Sequence, residues 1–134
     1  MAIATQARPS SLLRRALLAD AVISGAAGAL QLAATGPLSG MLAIEAGWLQ
    51  RSGVILLVWT AFLGWVLTRK PVSSSLAWTV IGLNLAWVAA SILVLVEGAI
   101  APNPLGMGYV LAQAAVVAIF AELQFFGLRR QSRG

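Results

Sequence analysis

The sequence predicts an all-α integral membrane protein, a four-helix bundle that forms a single domain over residues 1–134. Three observations lead to this fold class. Four apolar blocks divide the chain, each about 20 residues long, the length that a helix needs to cross the ~30 Å hydrocarbon core of a bilayer. Hydrophobic residues make up 60% of the chain and charged residues 10%, against roughly 45–50% and about 25% in soluble domains. Eight of the nine Lys and Arg residues lie at the chain ends and at the middle junction.

The charge and the residue types that are missing exclude several classes of function. A formal charge of +5 would indicate a nucleic-acid partner in a soluble protein. Here the basic residues border apolar blocks, so we expect membrane lipid, and no nucleic acid, as their partner. The chain contains no Cys and no His, the usual ligands of zinc, copper and haem. We therefore expect no metal and no cofactor.

The boundaries of the four spans follow from local breakers and caps. Pro9 and Ser10 indicate a helix start, Gly36-Pro37 a stop, and the moderately apolar stretch 38–50 an outer loop with an interfacial helix. We expect the first span to be retained rather than cleaved as a signal peptide, since it carries Asp20 and is longer than a typical signal sequence. The predicted spans are 11–35, 51–68, 75–97 and 105–128.

The basic residues predict the orientation. All except Arg51 fall on one side of the predicted spans, so the positive-inside rule places both termini in the cytoplasm and the protein in the inner (plasma) membrane. Trp48, Trp65 and Trp78 fall near the predicted interfaces, as aromatic belts require, whereas Trp59 should pack between helices together with Trp87. The basic residues of the inner side are Arg8, Arg14, Arg15, Arg69, Lys70, Arg129, Arg130 and Arg133.

Two acidic residues, Asp20 and Glu122, fall well inside apolar spans, where an ionisable group is costly and is by default a functional candidate. Their spacing from the nearest arginines puts both roughly 8–10 Å from the inner basic layer. One interpretation is structural: Arg14 or Arg15 reaches Glu122 across the contact of the first and fourth helices, and a neighbouring hydroxyl or arginine satisfies Asp20. The other makes one carboxylate a proton carrier.

A polar stripe runs along the first helix, within an arc of about 80°. Such a stripe must face protein or water rather than lipid, and it acts either as packing glue between helices or as part of a solute path. The residues of the stripe are Asp20, Ser24, Gly28, Gln31 and Thr35.

The third and fourth spans each carry one deep amide. Asn84 lies near the predicted midplane, deeper than Asp20, and we expect it to pair with Gln113 of the fourth span. Gln113 and Glu122 point to opposite sides of their helix. Glu122 therefore either reaches the inner interface or faces a second protomer, which makes a homodimer or a larger membrane complex an expected partner.

Two further segments carry a family resemblance: Arg14-Arg15-Ala-Leu-Leu before the first helix, and Gly36-Pro37-Leu38-Ser39-Gly40-Met41-Leu42 after it. With four spans in 134 residues, the chain resembles small bacterial four-pass proteins of the DoxX-like type. The resemblance implies a four-pass membrane fold and a role around membrane redox partners and stress. In place of a Gly-x-x-Lys-Leu element the first helix reads Gly28-Ala29-Leu30-Gln31-Leu32, so no family residue is transferred.

Three functions are compatible with the sequence. The first is a non-enzymatic accessory or scaffold subunit that packs through small-residue helix faces, since no nucleotide loop, nucleophile–base set or metal motif occurs. The second is a proton-coupled small-solute transporter that acts as a dimer, with Asp20 or Glu122 as the coupling carboxylate. The third and least favoured is an intramembrane enzyme or quinone-binding redox subunit, with Trp59 and Trp87 lining an apolar pocket.

Overall fold

The computed structural model describes residues 11–133, and in these residues it contains five α-helices and no strand. Four of them are long and apolar enough to cross a membrane, so the chain is a multi-pass membrane protein. Many large apolar side chains point outward from the bundle, as expected where the solvent is lipid. Arg8 and the start signal at Pro9 lie outside the described residues. The helices are α1 (Ser11–Ala33), α2 (Thr35–Leu42), α3 (Ala46–Leu67), α4 (Ser74–Val96) and α5 (Pro104–Arg133).

The first and third predicted spans agree with α1 and α4 to within two residues. The second span begins five residues earlier than predicted, at Ala46, and the fourth ends five residues later, at Arg133. The Gly36-Pro37 pair does not end the helical course: α1 stops at Ala33, and Pro37 lies in the first turn of α2. A proline is tolerated there because the first-turn N–H groups have no helical partner. The short helix predicted within 38–50 is α2, and Ala43, in a left-handed conformation with φ 55°, ends it.

The helices pack in the order α3, α1, α5, α4 around the bundle. Helix α1 packs extensively against both α3 and α5, α4 packs against α5, and α3 makes little contact with α4. Short loops join the last three spans, which predicts that these spans are antiparallel neighbours, and for the α3–α4 pair this prediction is wrong. A short loop holds two helix ends together, but side-chain volume decides whether the helices touch along their length.

Glycines bring α1 and α3 together. A Cβ atom built on Gly28 would lie 2.8 Å from the carbonyl oxygen of Gly53, and one built on Gly53 would lie 3.1 Å from the carbonyl oxygen of Gly28. Only residues without a side chain permit such an approach, which is typical of membrane helix pairs. Thr60 strengthens the same contact, since its hydroxyl lies 3.3 Å from the carbonyl oxygen of Ala21.

At one end of the bundle, α1 and α4 begin and α3 and α5 end; we call it the basic end. Arg14 donates hydrogen bonds to the carbonyl oxygens of Leu67 (2.8 Å) and Arg69 (3.0 Å). Gln131 donates to the carbonyl oxygen of Val72 at 2.6 Å. These contacts tie α1 and α5 to the segment between α3 and α4, and they place the basic residues of the described chain, apart from Arg51, at this end.

The predicted pairing of Arg14 or Arg15 with Glu122 is wrong. Arg14 instead caps the free carbonyls at the end of α3, which have no helical partner of their own. Arg15 and Glu122 are both exposed, and within residues 11–133 Glu122 takes part in no ion pair.

Helix α2 covers the opposite end. The Asn103 side chain donates to the carbonyl oxygen of Met41 at 2.8 Å, and its Oδ1 accepts the backbone N–H of Gly106 at 2.8 Å. A Cβ on Gly106 would clash with the carbonyl oxygen of Leu42. Glycine at this position therefore lets α5 begin directly against α2.

Candidate functional site

A buried carboxylate holds the four spans together. Asp20 of α1 accepts four hydrogen bonds: on Oδ1 from Ser24 Oγ (2.9 Å) and Trp59 Nε1 (3.3 Å), and on Oδ2 from Asn84 Nδ2 (2.8 Å) and Gln124 Nε2 (2.8 Å). Asn84 also donates to Gln124 Oε1 at 2.9 Å. We call these five residues the Asp20 cluster. Because Trp59 lies on α3, Asn84 on α4 and Gln124 on α5, every membrane-crossing helix contributes a side chain.

Each partner of Asp20 is neutral, and the carboxylate has no basic neighbour among its hydrogen-bond partners in the described chain. Asp20 and Gln124 are fully buried, and Asn84 is 4% exposed. A carboxylate can only accept hydrogen bonds, and these four donors occupy both of its oxygens. Such complete pairing is what a polar group needs inside a bilayer, where no water competes for it.

Two predictions about the deep amides are wrong. Asn84 pairs with Asp20 and Gln124 rather than with Gln113. Since Asn84 and Asp20 are in direct contact, they also lie at the same level of the bundle. The predicted difference in depth came from counting residues along each helix separately: Asp20 was placed by its distance from Arg15, and Asn84 by its distance from the ends of its span.

Gln124 is the residue of this site that the sequence analysis did not select. It lies eleven residues after Gln113, three turns of helix and about 20° away, so the two share one face. That periodicity could have identified it.

The rest of the predicted stripe forms a second group, the Gln31 trio of Gln31, Ser52 and Tyr109. The Gln31 side chain donates to the Tyr109 hydroxyl at 2.7 Å and accepts a short hydrogen bond from Ser52. Thr35 lies in α2 rather than α1 and donates to the carbonyl oxygen of Gln31 at 2.5 Å. Asp20, Ser24, Gly28 and Gln31 are buried, so the stripe faces protein.

The weak contact between α3 and α4 leaves a cleft that contains two partly open cavities. The proximal cavity, nearer the basic end, measures about 510 Å³, and the distal cavity measures about 280 Å³. Ile55 and Trp87 line both of them, which makes the cavities adjoining parts of one cleft. The proximal cavity is bordered by three members of the Asp20 cluster, and the distal one by the Gln31 trio; we name the whole space the α3–α4 cleft.

Both deep tryptophans lie between helices, as expected. Trp59 lines the proximal cavity while it donates to Asp20. The Trp87 Nε1 atom is buried and has no hydrogen-bond partner in the described part of the chain. A buried N–H group without an acceptor costs on the order of 1–3 kcal/mol.

The other predicted site residues lie outside the Asp20 cluster. Gln113 lines the distal cavity, and Glu122 is exposed on the outer surface of α5. At the basic end, Arg69 lies over the Trp65 ring at 5.1 Å and Arg129 over the ring of Phe125 at 5.6 Å, the placement of arginine beside aromatic rings at a membrane interface. Arg15, Lys70 and Arg130 are exposed there.

Over the described residues, no group of three or more His, Cys, Asp or Glu side chains could hold a metal ion. No protein-family model, curated protein or solved structure matches this chain. The DoxX-like resemblance therefore stays a prediction.

Proposed function

We propose that this chain is a non-enzymatic accessory protein of the membrane that binds a small apolar or amphipathic molecule in the α3–α4 cleft. The observation that carries the proposal is the pair of adjoining cavities that share Ile55 and Trp87. Ligand sites in proteins are concave, mostly apolar and equipped with a few polar groups, and they span about 300–1,000 Å³. Both the size and the lining of the cleft agree with this description.

The volume of the cleft favours a small molecule over a partner helix. A membrane-spanning helix about 10 Å wide and 30 Å long occupies on the order of 2,000 Å³. The proximal cavity, at about 510 Å³, is far smaller. In addition, the small-residue contact of Gly28 with Gly53 is already used between α1 and α3. A scaffold role would have to use another surface, such as the exposed side of α5 around Glu122, which would suit a homodimer or a larger complex.

A non-enzymatic role agrees with the chemistry of the deep polar groups. The acceptor capacity of Asp20 is taken up by four donors, and Asn84 and Gln124 bond to each other as well. A general base needs an acceptor position that is free for the proton that it removes. The hydrogen bonds of the Asp20 cluster therefore support a structural role for this carboxylate.

We also propose that both termini are cytoplasmic and that the membrane is the plasma membrane. The grouping of Arg14, Arg15, Arg69, Lys70 and Arg129 at one end of the bundle supports this orientation, since cytoplasmic loops carry an excess of positive charge. Arg51 is then the basic residue of the outer side.

A cavity-filling substitution tests the ligand-binding function. Leu83 and Leu85 lie on α4 with nearly equal exposure, 50% and 51%, but only Leu83 lines the proximal cavity. Leu83→Trp should fill the cavity, whereas Leu85→Trp should extend into lipid. Native mass spectrometry of protein released from mild detergent should show a bound small molecule on wild type and on Leu85→Trp, and not on Leu83→Trp. Equal loading of both variants, or no bound molecule on wild type, would contradict the proposal.

Proton-coupled transport is the second candidate, and one observation favours it. Ser24, Trp59 and Asn84, three of the four donors to Asp20, line the proximal cavity, so a solute there would lie one side chain away from the carboxylate. Infrared difference spectra between acid and neutral pH test the idea. A carboxyl band that Asp20→Asn removes and Glu122→Gln retains would support coupling through Asp20. The absence of any such band would exclude it.

A further inference from the structure

We propose that the α3–α4 cleft takes a single-chain amphiphile with an anionic head group, of the fatty-acid class. Its head group lies in the distal cavity beside Arg51, and its chain extends along α3 into the proximal cavity. This inference rests on the proposed ligand-binding function and specifies its ligand.

Side chains that line the distal cavity carry hydrogen-bond donors without acceptors. Arg51 lines it, and no carboxylate of the described residues pairs with its guanidinium. Trp87 lines it as well, and its buried indole N–H has no partner in the described chain. The Tyr109 hydroxyl accepts from Gln31, which leaves its own proton to donate. An ionised carboxylate accepts at both oxygens and donates nothing, so it is the complement of such a set.

Few acceptors line this cavity. Gln31 Oε1 already accepts from Ser52, and the Gln113 amide, which also lines the cavity, offers donors as well as an acceptor. No Asp or Glu lines the cavity. A cationic or purely donating head group would therefore find a positive charge and few acceptors, whereas an anion would find donors and the charge of Arg51.

The cleft changes from polar to apolar along its length. Beyond the shared residues Ile55 and Trp87, the proximal cavity is bordered mostly by apolar side chains such as Val58, Phe62 and Leu83. From Arg51 to Phe62, α3 rises about 16 Å at 1.5 Å per residue. That length is close to one leaflet of the hydrocarbon core, about 15 Å. One extended chain therefore matches the distance from the charged end of the cleft to its apolar end.

The position of Arg51 also suits a head group. Arg51 lies about 8 Å into α3 from its start at Ala46, and its guanidinium stacks over the Trp48 ring at 5.3 Å. Tryptophan at this depth marks the membrane–water boundary, where head groups reside. The Glu45 carboxylate would compete with the ligand head group for Arg51, because Glu45 Oε1 and Arg51 Nη2 lie 3.4 and 3.6 Å from the same point, a Cβ built on Gly47.

Quenching of tryptophan fluorescence by brominated lipids tests the proposal, because Trp59 and Trp87 border the cleft. The purified protein in lipid nanodiscs is titrated with dibrominated stearic acid, with its methyl ester, and with a phosphatidylcholine that carries the same brominated chain. We expect saturable quenching by the acid, at least about tenfold weaker apparent affinity for the ester, and only non-saturable quenching by the phospholipid.

Variants of Arg51 connect the affinity to the charge. Arg51→Gln should lower the apparent affinity for the acid at least about tenfold, since a charge-assisted hydrogen bond is lost, whereas Arg51→Lys should retain most of it. Lys70→Gln, which removes a positive charge at the basic end, should bind as wild type does. Glu45→Gln should raise the affinity, because it removes the competing carboxylate.

The outcomes separate this inference from the function on which it rests. Equal saturable binding of acid and ester would overturn the anionic head group and leave the cleft as a ligand site. Saturable quenching by the phospholipid at the level of the acid would assign the signal to a bilayer lipid and overturn the single-chain ligand. If no probe saturates while native mass spectrometry also finds no bound molecule, both proposals fail.

Discussion

Removing the Asp20 carboxylate should destabilise the whole bundle, because its four hydrogen bonds reach all four membrane-crossing helices. Hydrogen bonds between membrane helices average about 0.6 kcal/mol each, and the three that run between helices, from Trp59, Asn84 and Gln124, contribute about 1.8 kcal/mol. Asp20→Ala also leaves four donors without an acceptor, which raises the expected loss towards about 4 kcal/mol. Asp20→Asn keeps one acceptor oxygen, and with rotation of the amides of Asn84 and Gln124 it should lose only about 1–2 kcal/mol.

Unfolding by sodium dodecyl sulfate in mixed micelles, followed by far-ultraviolet circular dichroism, measures these losses. Glu122→Ala is the matched control, since Glu122 is the other carboxylate within a span but is exposed, and its removal should change the free energy of unfolding by less than about 0.5 kcal/mol. If Asp20→Ala is no less stable than Glu122→Ala, the Asp20 cluster does not hold the bundle together, and the reasoning from its hydrogen bonds is refuted.

Three further predictions concern packing, capping and orientation. Gly28→Ala should lower the free energy of unfolding in the same micelles by about 1–3 kcal/mol, because its methyl group would meet a backbone carbonyl of α3. Gly64→Ala is the control and should leave the free energy of unfolding unchanged, since Gly64 has open space around it. Equal effects of the two substitutions would contradict the close-packing argument. Arg14→Gln should lower the free energy of unfolding by about 1–2 kcal/mol in the same measurement, since two charge-assisted hydrogen bonds to carbonyl oxygens are lost. An unchanged free energy of unfolding would show that this cap does not stabilise the bundle. In intact cells, a membrane-impermeant maleimide should label Gly40→Cys but not Ser74→Cys, since the chain has no cysteine of its own, and the reverse pattern would invert the proposed orientation.

Much of the fold could be predicted because membrane insertion depends on local properties of the chain. A span is a sum of side-chain hydropathies over about 20 residues, and no knowledge of neighbouring helices is needed to compute it. The polar stripe was also visible, since Asp20, Ser24 and Gln31 repeat with the helix period, and polar groups on one face must turn away from lipid. The residues that the stripe contacts could not be predicted in the same way.

The partners within the site depended on contacts between distant segments. Two amides lie on one face of α5, Gln113 and Gln124, and the predicted partner of Asn84 was Gln113. The actual partner follows from how far α5 slides and rotates against α4, and the packing of α5 on α1 constrains that position. Gly127 shows the constraint, because a Cβ there would lie 2.5 Å from the backbone nitrogen of Leu13, and this contact holds α5 in register with α1 three residues beyond Gln124.

By itself, the sequence determined four membrane-crossing helices, their basic end, and a polar face on α1, because each depends on the composition of one segment in contact with lipid. Only the tertiary structure decided that α1 rather than α4 packs against α3, and therefore that a cleft with Trp59 and Trp87 exists. The physical reason is a comparison of side-chain volumes across helices. Gly28 and Gly53 let the backbones of α1 and α3 touch, whereas indole and leucine side chains lie between α3 and α4. This difference depends on residues of several helices and cannot be predicted from any one segment.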